Sequence, residues 1–273
     1  MKPLIFATDF SEPARNAGDY AAQLANQLQC ELIVAHVWSL PVMSGETIAF
    51  PFSVDELRKT YLERTENEAA LLRKKWNTGA IAIERMGFVQ DELNQLCEEK
   101  KASFVVMGMG RGKREQLLGS SAAAFSMHTK TPVIIIPEKT TYHQIKKIML
   151  ASDLKTDHHW HELDRLKEFS DEIGASLHIL HVSDDLEAVA DEHHKRAEAL
   201  GKKFGTKTEQ WHFGAGDVVM EVGDEAEQLH ANVIAMVHHQ LPWYKQLFHM
   251  SSVKAMSFET ERPLIILPEP VKK

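Results

Sequence analysis

Residues 105–125 read VVMGMGRGKREQLLGSSAAAF: an apolar run falls into Gly108, Gly110 and Gly112, then reaches Gly119-Ser120-Ser121 at the head of a helix-like stretch. Glycines let a backbone come close to a phosphate, and the amides and hydroxyls at a helix start hold an anion. Arg111, Lys113 and Arg114 add positive charge to the same loop, which suits a polyphosphate and equally suits solvent. On these residues alone a bare strand-to-helix turn is the more common explanation of such a run, and the phosphate reading needs the rest of the chain. Asp9 and Asp153 each end a short apolar run. A carboxylate there either meets a ligand or caps the next helix. Ligand contact is the expectation for Asp9; a structural role is the expectation for Asp153, which has no glycine loop opposite it. Eight of the 15 histidines cluster, at His158-His159 with His161, at His193-His194, and at His238-His239 with His249. No cysteine pattern accompanies them, so they read as solvated side chains and no metal site is assigned. No Ser-His-Asp set, Walker lysine or Gly-x-Gly-x-x-Gly motif occurs, and no catalytic residue is assigned.

These residues must be positioned by strands alternating with amphipathic helices. Leu4 to Ala7, Leu32 to Val37, Ala80 to Glu84, Phe104 to Met107 and Val133 to Ile136 read as strands. The stretch carrying Ala14, Ala17, Ala21, Leu24, Ala25 and Leu28 reads as a helix with a small apolar face, and Val54 to Trp76 and Gln90 to Lys101 as two more. The charged residues from Glu56 to Lys75 are expected to form a solvated helix face. Apolar runs alternating with helices signal a parallel sheet covered on both faces. From Lys147 the plan repeats. Ile148 to Asp153 matches Leu4 to Asp9, Leu177 to Val182 matches Leu32 to Val37, and Thr260 to Pro268 matches Thr129 to Pro137 nearly position for position. An internal duplication follows, with domains at 1–139 and 145–273. The first half alone carries a longer insertion, from Ser39 to Ser53, at the carboxyl end of its second strand.

The 273 residues, 44% hydrophobic and 26% charged, suit a two-domain globular protein, and a net charge of −8 argues against a general nucleic-acid surface. No stretch approaches the roughly 18 apolar residues of a membrane span, and the start lacks signal-peptide character. Cys30 and Cys97 show no redox or metal spacing and read as packing residues in a reducing cytoplasm.

Taken together, the strand ending in Asp9, the His36-Val37 strand end, the Met107-Gly108 turn, Gly119-Ser120 and the closing Thr-Pro-Val-Ile-Ile-Ile-Pro strand resemble a universal stress protein, and both halves carry the resemblance. It implies two tandem doubly wound α/β domains, Rossmann-like parallel sheets that form a pseudo-dimer within one chain through their last strands. It also implies an adenine nucleotide, ATP with Mg²⁺, held as a regulatory ligand in the first half. By position, Thr8 and Asp9 would face the ribose and phosphate side, Val37 would border the base, and Met107 would belong to the binding turn it forms with Gly108. Gly108, Gly110, Gly112, Gly119, Ser120 and Ser121 would cradle the phosphates. Nucleotide-binding members share Gly-x2-Gly-x9-Gly-Ser/Thr; here the span from Gly108 to Gly119 is two residues shorter. The second half keeps no glycine between Met236 and Ser252, places Trp243 and Tyr244 there, and resembles the branch that does not bind ATP. The expected protein is cytoplasmic and non-enzymatic beyond slow hydrolysis. A homodimer through sheet edges and an unidentified protein partner are also open. The competing readings are a stress-response scaffold that binds no nucleotide and, less favoured, a nucleotidyl transferase.

Overall fold

The computed structural model describes residues 2–40, 53–110, 121–152, 160–181, 198–199, 201–202, 205, 208–209, 218–237 and 262–268. The first half runs β1 (Leu4–Ala7), α1 (Glu12–Leu28), β2 (Leu32–Trp38), α2 (Val54–Trp76), β3 (Ala80–Met86), α3 (Val89–Lys100), β4 (Phe104–Met109), α4 (Ser121–Ser126) and β5 (Val133–Pro137). The second half supplies β6 (Lys147–Ser152), α5 (Trp160–Glu172), β7 (Ser176–His181), β8 (Thr208–Glu209), α6 (Val218–Gln228), β9 (Val233–Val237) and β10 (Leu264–Leu267).

All ten strands join one sheet in the order β3-β2-β1-β4-β5-β10-β9-β6-β7-β8. The second half repeats the order of the first in reverse across the β5–β10 seam, as two copies of one plan meeting edge to edge must. Every pairing is parallel except that seam, where Ile135, Ile134 and Val133 lie antiparallel to Leu264, Ile265 and Ile266. The expected pseudo-dimer within one chain is therefore present, and the edges that an isolated half would expose are paired.

Alternation along the strands divides the core between the two faces of the sheet. Leu4, Phe6, Val34, Ile134 and Ile148 pack on one face with Leu24 of α1 and Phe169 of α5. Ile5, Ile33, Val105, Ile135 and Met149 pack on the other with Leu96 of α3 and Phe125 of α4. Each cluster spans both halves; Phe104 of β4 meets Phe169 of α5 with ring centroids 4.7 Å apart. The segment after β5 is tied down as well. Asn16 donates to the carbonyls of Pro137 and Thr140, and Gln27 donates to those of Ile145 and Ile173.

Local signals account for the two long helices of the first half. Ser11 caps α1 by accepting from the Ala14 amide, with Pro13 in the first turn. Ser53 and Glu56 form a capping box at the start of α2. That helix buries only Thr65, Ala69 and Leu72, so its hold on the sheet is thin for its length. Among the described residues, no helix is long and apolar enough to cross a membrane.

Candidate binding cavity

In an open α/β sheet, ligands sit beyond the carboxyl ends of the strands where the strand order reverses. In the first half that point lies between β1 and β4, and a cavity of about 370 Å³ opens there. Its apolar lining comes from Ala7, Ala35, Val37 and Met107 at the strand ends and from Val89 and Leu93 of α3. Its polar rim comes from Thr8, Asp9, Ser11 and Ser121, with Gly108 and Gly110 on the β4 side.

Of the ten residues expected at a ligand, Thr8, Asp9, Val37, Met107, Gly108, Gly110 and Ser121 border this one cavity. Gly112, Gly119 and Ser120 lie outside the described residues, as do Asp153, the Ser39–Ser53 insertion apart from its ends, and the second-half stretch from His238 to Ser252. Among the described residues, no group of three or more His, Cys, Asp or Glu side chains is placed to hold a metal ion.

The two described glycines have a cause that needs no ligand. A Cβ on Gly108 would stand 2.4 Å from the Pro13 carbonyl oxygen and 2.9 Å from the Ala14 amide nitrogen. A Cβ on Gly110 would stand 2.8 Å from Pro13 Cγ. The first turn of α1 thus lies directly on the end of β4, and glycine is what lets it approach.

Asp9 and Thr8 also do structural work. Asp9 Oδ1 accepts from the Ser11 amide at 2.9 Å, an Asx turn that starts α1, while the exposed side chain borders the cavity. The Thr8 hydroxyl accepts from the Phe10 amide at 3.0 Å and donates to Glu68 Oε2 at 3.0 Å. Glu68 belongs to the helix whose charged residues were expected to be solvated. Instead it is half-buried, and burial raises its carboxyl above the usual range, partly offset by the Thr8 hydrogen bond and by Arg15 and Arg64. Its spacing within a run of charged residues gave no sign of this.

Behind the cavity lies an aromatic stack. The Phe10 ring sits 4.3 Å from the His36 ring, which sits 5.0 Å from Tyr61, which sits 5.0 Å from Trp38. The Arg64 guanidinium lies over the Phe10 ring at 4.1 Å from its centroid. Phe10 takes φ of 64°, a left-handed conformation that costs a bulky residue about 1–3 kcal/mol and persists where its surroundings fix it. His36 is 7% exposed; its Nδ1 lies 2.7 Å from the Thr8 carbonyl oxygen, and its buried Nε2 has no partner among the described residues. Leaving such a group unbonded costs about 1–3 kcal/mol. Trp38 Nε1 donates to Glu84, which also pairs with Arg58 at 3.5 Å.

A doubly wound parallel sheet with a cavity at its switch point defines the class of protein. The model of the universal stress protein family matches residues 1–137, and the chain belongs to that family. A universal stress protein from Archaeoglobus fulgidus shares the fold over 98% of this chain and 98% of that chain, at TM-score 0.71 and 20% identity. A functionally unknown protein from Pseudomonas aeruginosa matches 98% of this chain and 92% of that chain, at TM-score 0.56 and 9% identity. An Arabidopsis thaliana universal stress protein family protein with AMP bound matches 52% of this chain and 96% of that chain, at TM-score 0.34 and 19% identity. No curated protein matches the chain.

Proposed function

We propose that the first half, residues 1–139, binds ATP or a related adenine nucleotide as a regulatory ligand, and that the second, 145–273, binds none. The observation that carries this is the cavity at the switch point, of a size typical for small-molecule sites, with an apolar slot facing a polar rim. A purine lies against Val37, Met107 and Leu93. Asp9 retains an oxygen, Oδ2, with no partner among the described residues, suited to ribose hydroxyls. Phosphates with their Mg²⁺ run toward Gly108, Gly110, Gly112, Gly119, Ser120 and Ser121. The Thr8 hydroxyl, engaged by Phe10 and Glu68, shapes this rim and is not itself a donor to the ligand. Among the described lining residues, Asp9 is the one carboxylate and no activated nucleophile stands beside it, so turnover is slow and incidental. The nucleotide-loaded form then acts through a protein partner in the cytoplasm. Because β5 and β10 already pair with each other, a homodimer uses another surface.

One observation favours a nucleotide-free interaction scaffold: the first turn of α1, at Pro13 and Ala14, explains Gly108 and Gly110 without a ligand. Titration calorimetry with MgATP separates the two readings. One site per chain, weakened about 10-fold or more in Ser121→Asp by placing a like charge beside the phosphates, supports the nucleotide reading. No heat from the folded wild type supports the scaffold.

A further inference from the structure

We infer that His36 is a positioning residue for this cavity: its imidazole holds the Thr8–Ser11 turn against α2, and the turn moves when that imidazole takes a proton. The ligand in this inference rests on the nucleotide reading; the coupling of His36 to the turn does not.

Ala35 and Val37 line the cavity, so the alternation of β2 sends His36 to the opposite face, toward α2. From there it reaches back to the turn. A carbonyl only accepts, so Nδ1 carries the proton and donates to Thr8 at 2.7 Å, and the neutral ring leaves Nε2 as an unfilled acceptor. The Phe10 ring, whose residue is held in the left-handed region, packs against that imidazole and against Arg64. The Thr8 hydroxyl fastens the same turn to Glu68 on α2. Three contacts therefore fasten the turn to β2 and α2: His36 and Glu68 each hold Thr8, and the ring stack holds Phe10, on either side of Asp9.

A second proton on His36 puts an N–H and a positive charge where none of the described residues offers an acceptor. The charged groups facing it are Arg64 from α2, Asp9 from the turn and Glu84 from β3. Glu84 is held by Trp38 and Arg58, and the nearby Glu68 by Thr8. Burial is the largest influence and lowers the imidazole's proton affinity, and Arg64 adds to it. The Thr8 carbonyl, Asp9 and Glu84 pull the other way without reversing the direction. Because the folded-state value lies below the unfolded value near 6.5, the neutral ring's contribution is full above about that pH and is lost as pH falls. The turn is thus intact at neutral pH and released by acid.

The test follows the backbone amides of Thr8, Asp9 and Phe10 and the His36 imidazole by NMR from pH about 7.5 downward, in wild type, His36→Asn and His36→Leu. MgATP affinity is measured at both ends of that range. His36→Asn is included because its amide reproduces the donor to Thr8 without titrating. The expected result is that the amides shift in step with the imidazole in wild type and hold still in His36→Asn. Wild type also loses about 5-fold or more affinity relative to His36→Asn on acidification. His36→Asn restores most of the neutral-pH binding that His36→Leu loses. Titration of the nucleotide phosphates and of Glu68 is common to wild type and His36→Asn, so their difference isolates His36. Amides that stay fixed while the imidazole titrates, or that shift equally in His36→Asn, overturn the inference. Coupled amides in a wild type that binds no MgATP uphold the positioning role and sink the nucleotide reading instead.

Discussion

Pro13 is the residue against which the glycine turn is built. Its carbonyl oxygen sits where a methyl on Gly108 would go, and a backbone atom in the first turn of a capped helix has no rotamer with which to retreat. Gly108→Ala is therefore expected to destabilise the nucleotide-free protein by about 1–3 kcal/mol, the usual cost of forcing an extra methyl into a packed site. Gly79, between α2 and β3, is the natural control, because nothing lies within 4 Å of its added Cβ and its φ is not left-handed. There, removing backbone freedom from the unfolded chain gives Gly79→Ala a gain of about 0.4–1 kcal/mol. Urea midpoints of the two variants, with unchanged m-values, read the contrast. Were both to behave alike, packing against Pro13 would not be what requires the glycine.

At the scale of elements, α2 buries little for its length: of its 23 residues Thr65, Ala69 and Leu72 are buried, and its start carries the Ser53–Glu56 capping box. Ser53→Ala removes the acceptor for the Glu56 amide and should weaken the helix start by about 1 kcal/mol. The loss should show as faster hydrogen exchange in the first turns of α2, while α1, held by a broad buried face, keeps its protection. Ser53 also holds the Glu56 carboxyl below its ordinary range through the backbone amide and then the hydroxyl. That contribution is present above the unfolded value near 4.5 and fades as pH falls below it. The borders of α2 were legible in the sequence, because a polar cap, a long run without Gly or Pro, and Asn77 in the left-handed conformation are all local signals. The strands were legible for a related reason: buried parallel strands are plain apolar runs, and β3, β4 and β5 only extend the expected ranges by one or two residues. The lining of the candidate cavity was half legible. Thr8, Asp9, Val37 and Met107 stand at strand ends, where topology alone puts ligands. Glu68 looks like any other helix-surface carboxylate until the fold brings it to Thr8, 60 residues away. Likewise, nothing near Gly108 in the sequence announces that Pro13 fills the space above it.

For the whole molecule, the duplication raises the question of whether the halves are two folding units or one. The seam consists of β-branched and leucine side chains that are all but fully buried: Ile134 is 1% exposed, Ile265 is 0%, and they face each other in register. On both faces of the sheet the apolar clusters run across this seam without a polar break, and Phe104 of one half packs on Phe169 of the other. A half cut loose would expose an apolar edge strand together with the side chains above and below it, a combination that destabilises an isolated domain. The two halves should therefore open together. Ile265→Ala tests this, since truncating a fully buried isoleucine costs about 2–5 kcal/mol. Under conditions where exchange follows global unfolding, peptides covering β1 and β4 should lose as much protection as those covering β6 and β9, even though the substitution lies in the second half. Loss confined to β6, β9 and β10 would show two independent domains in contact, and the seam would then be an interface within the chain rather than the middle of a single core.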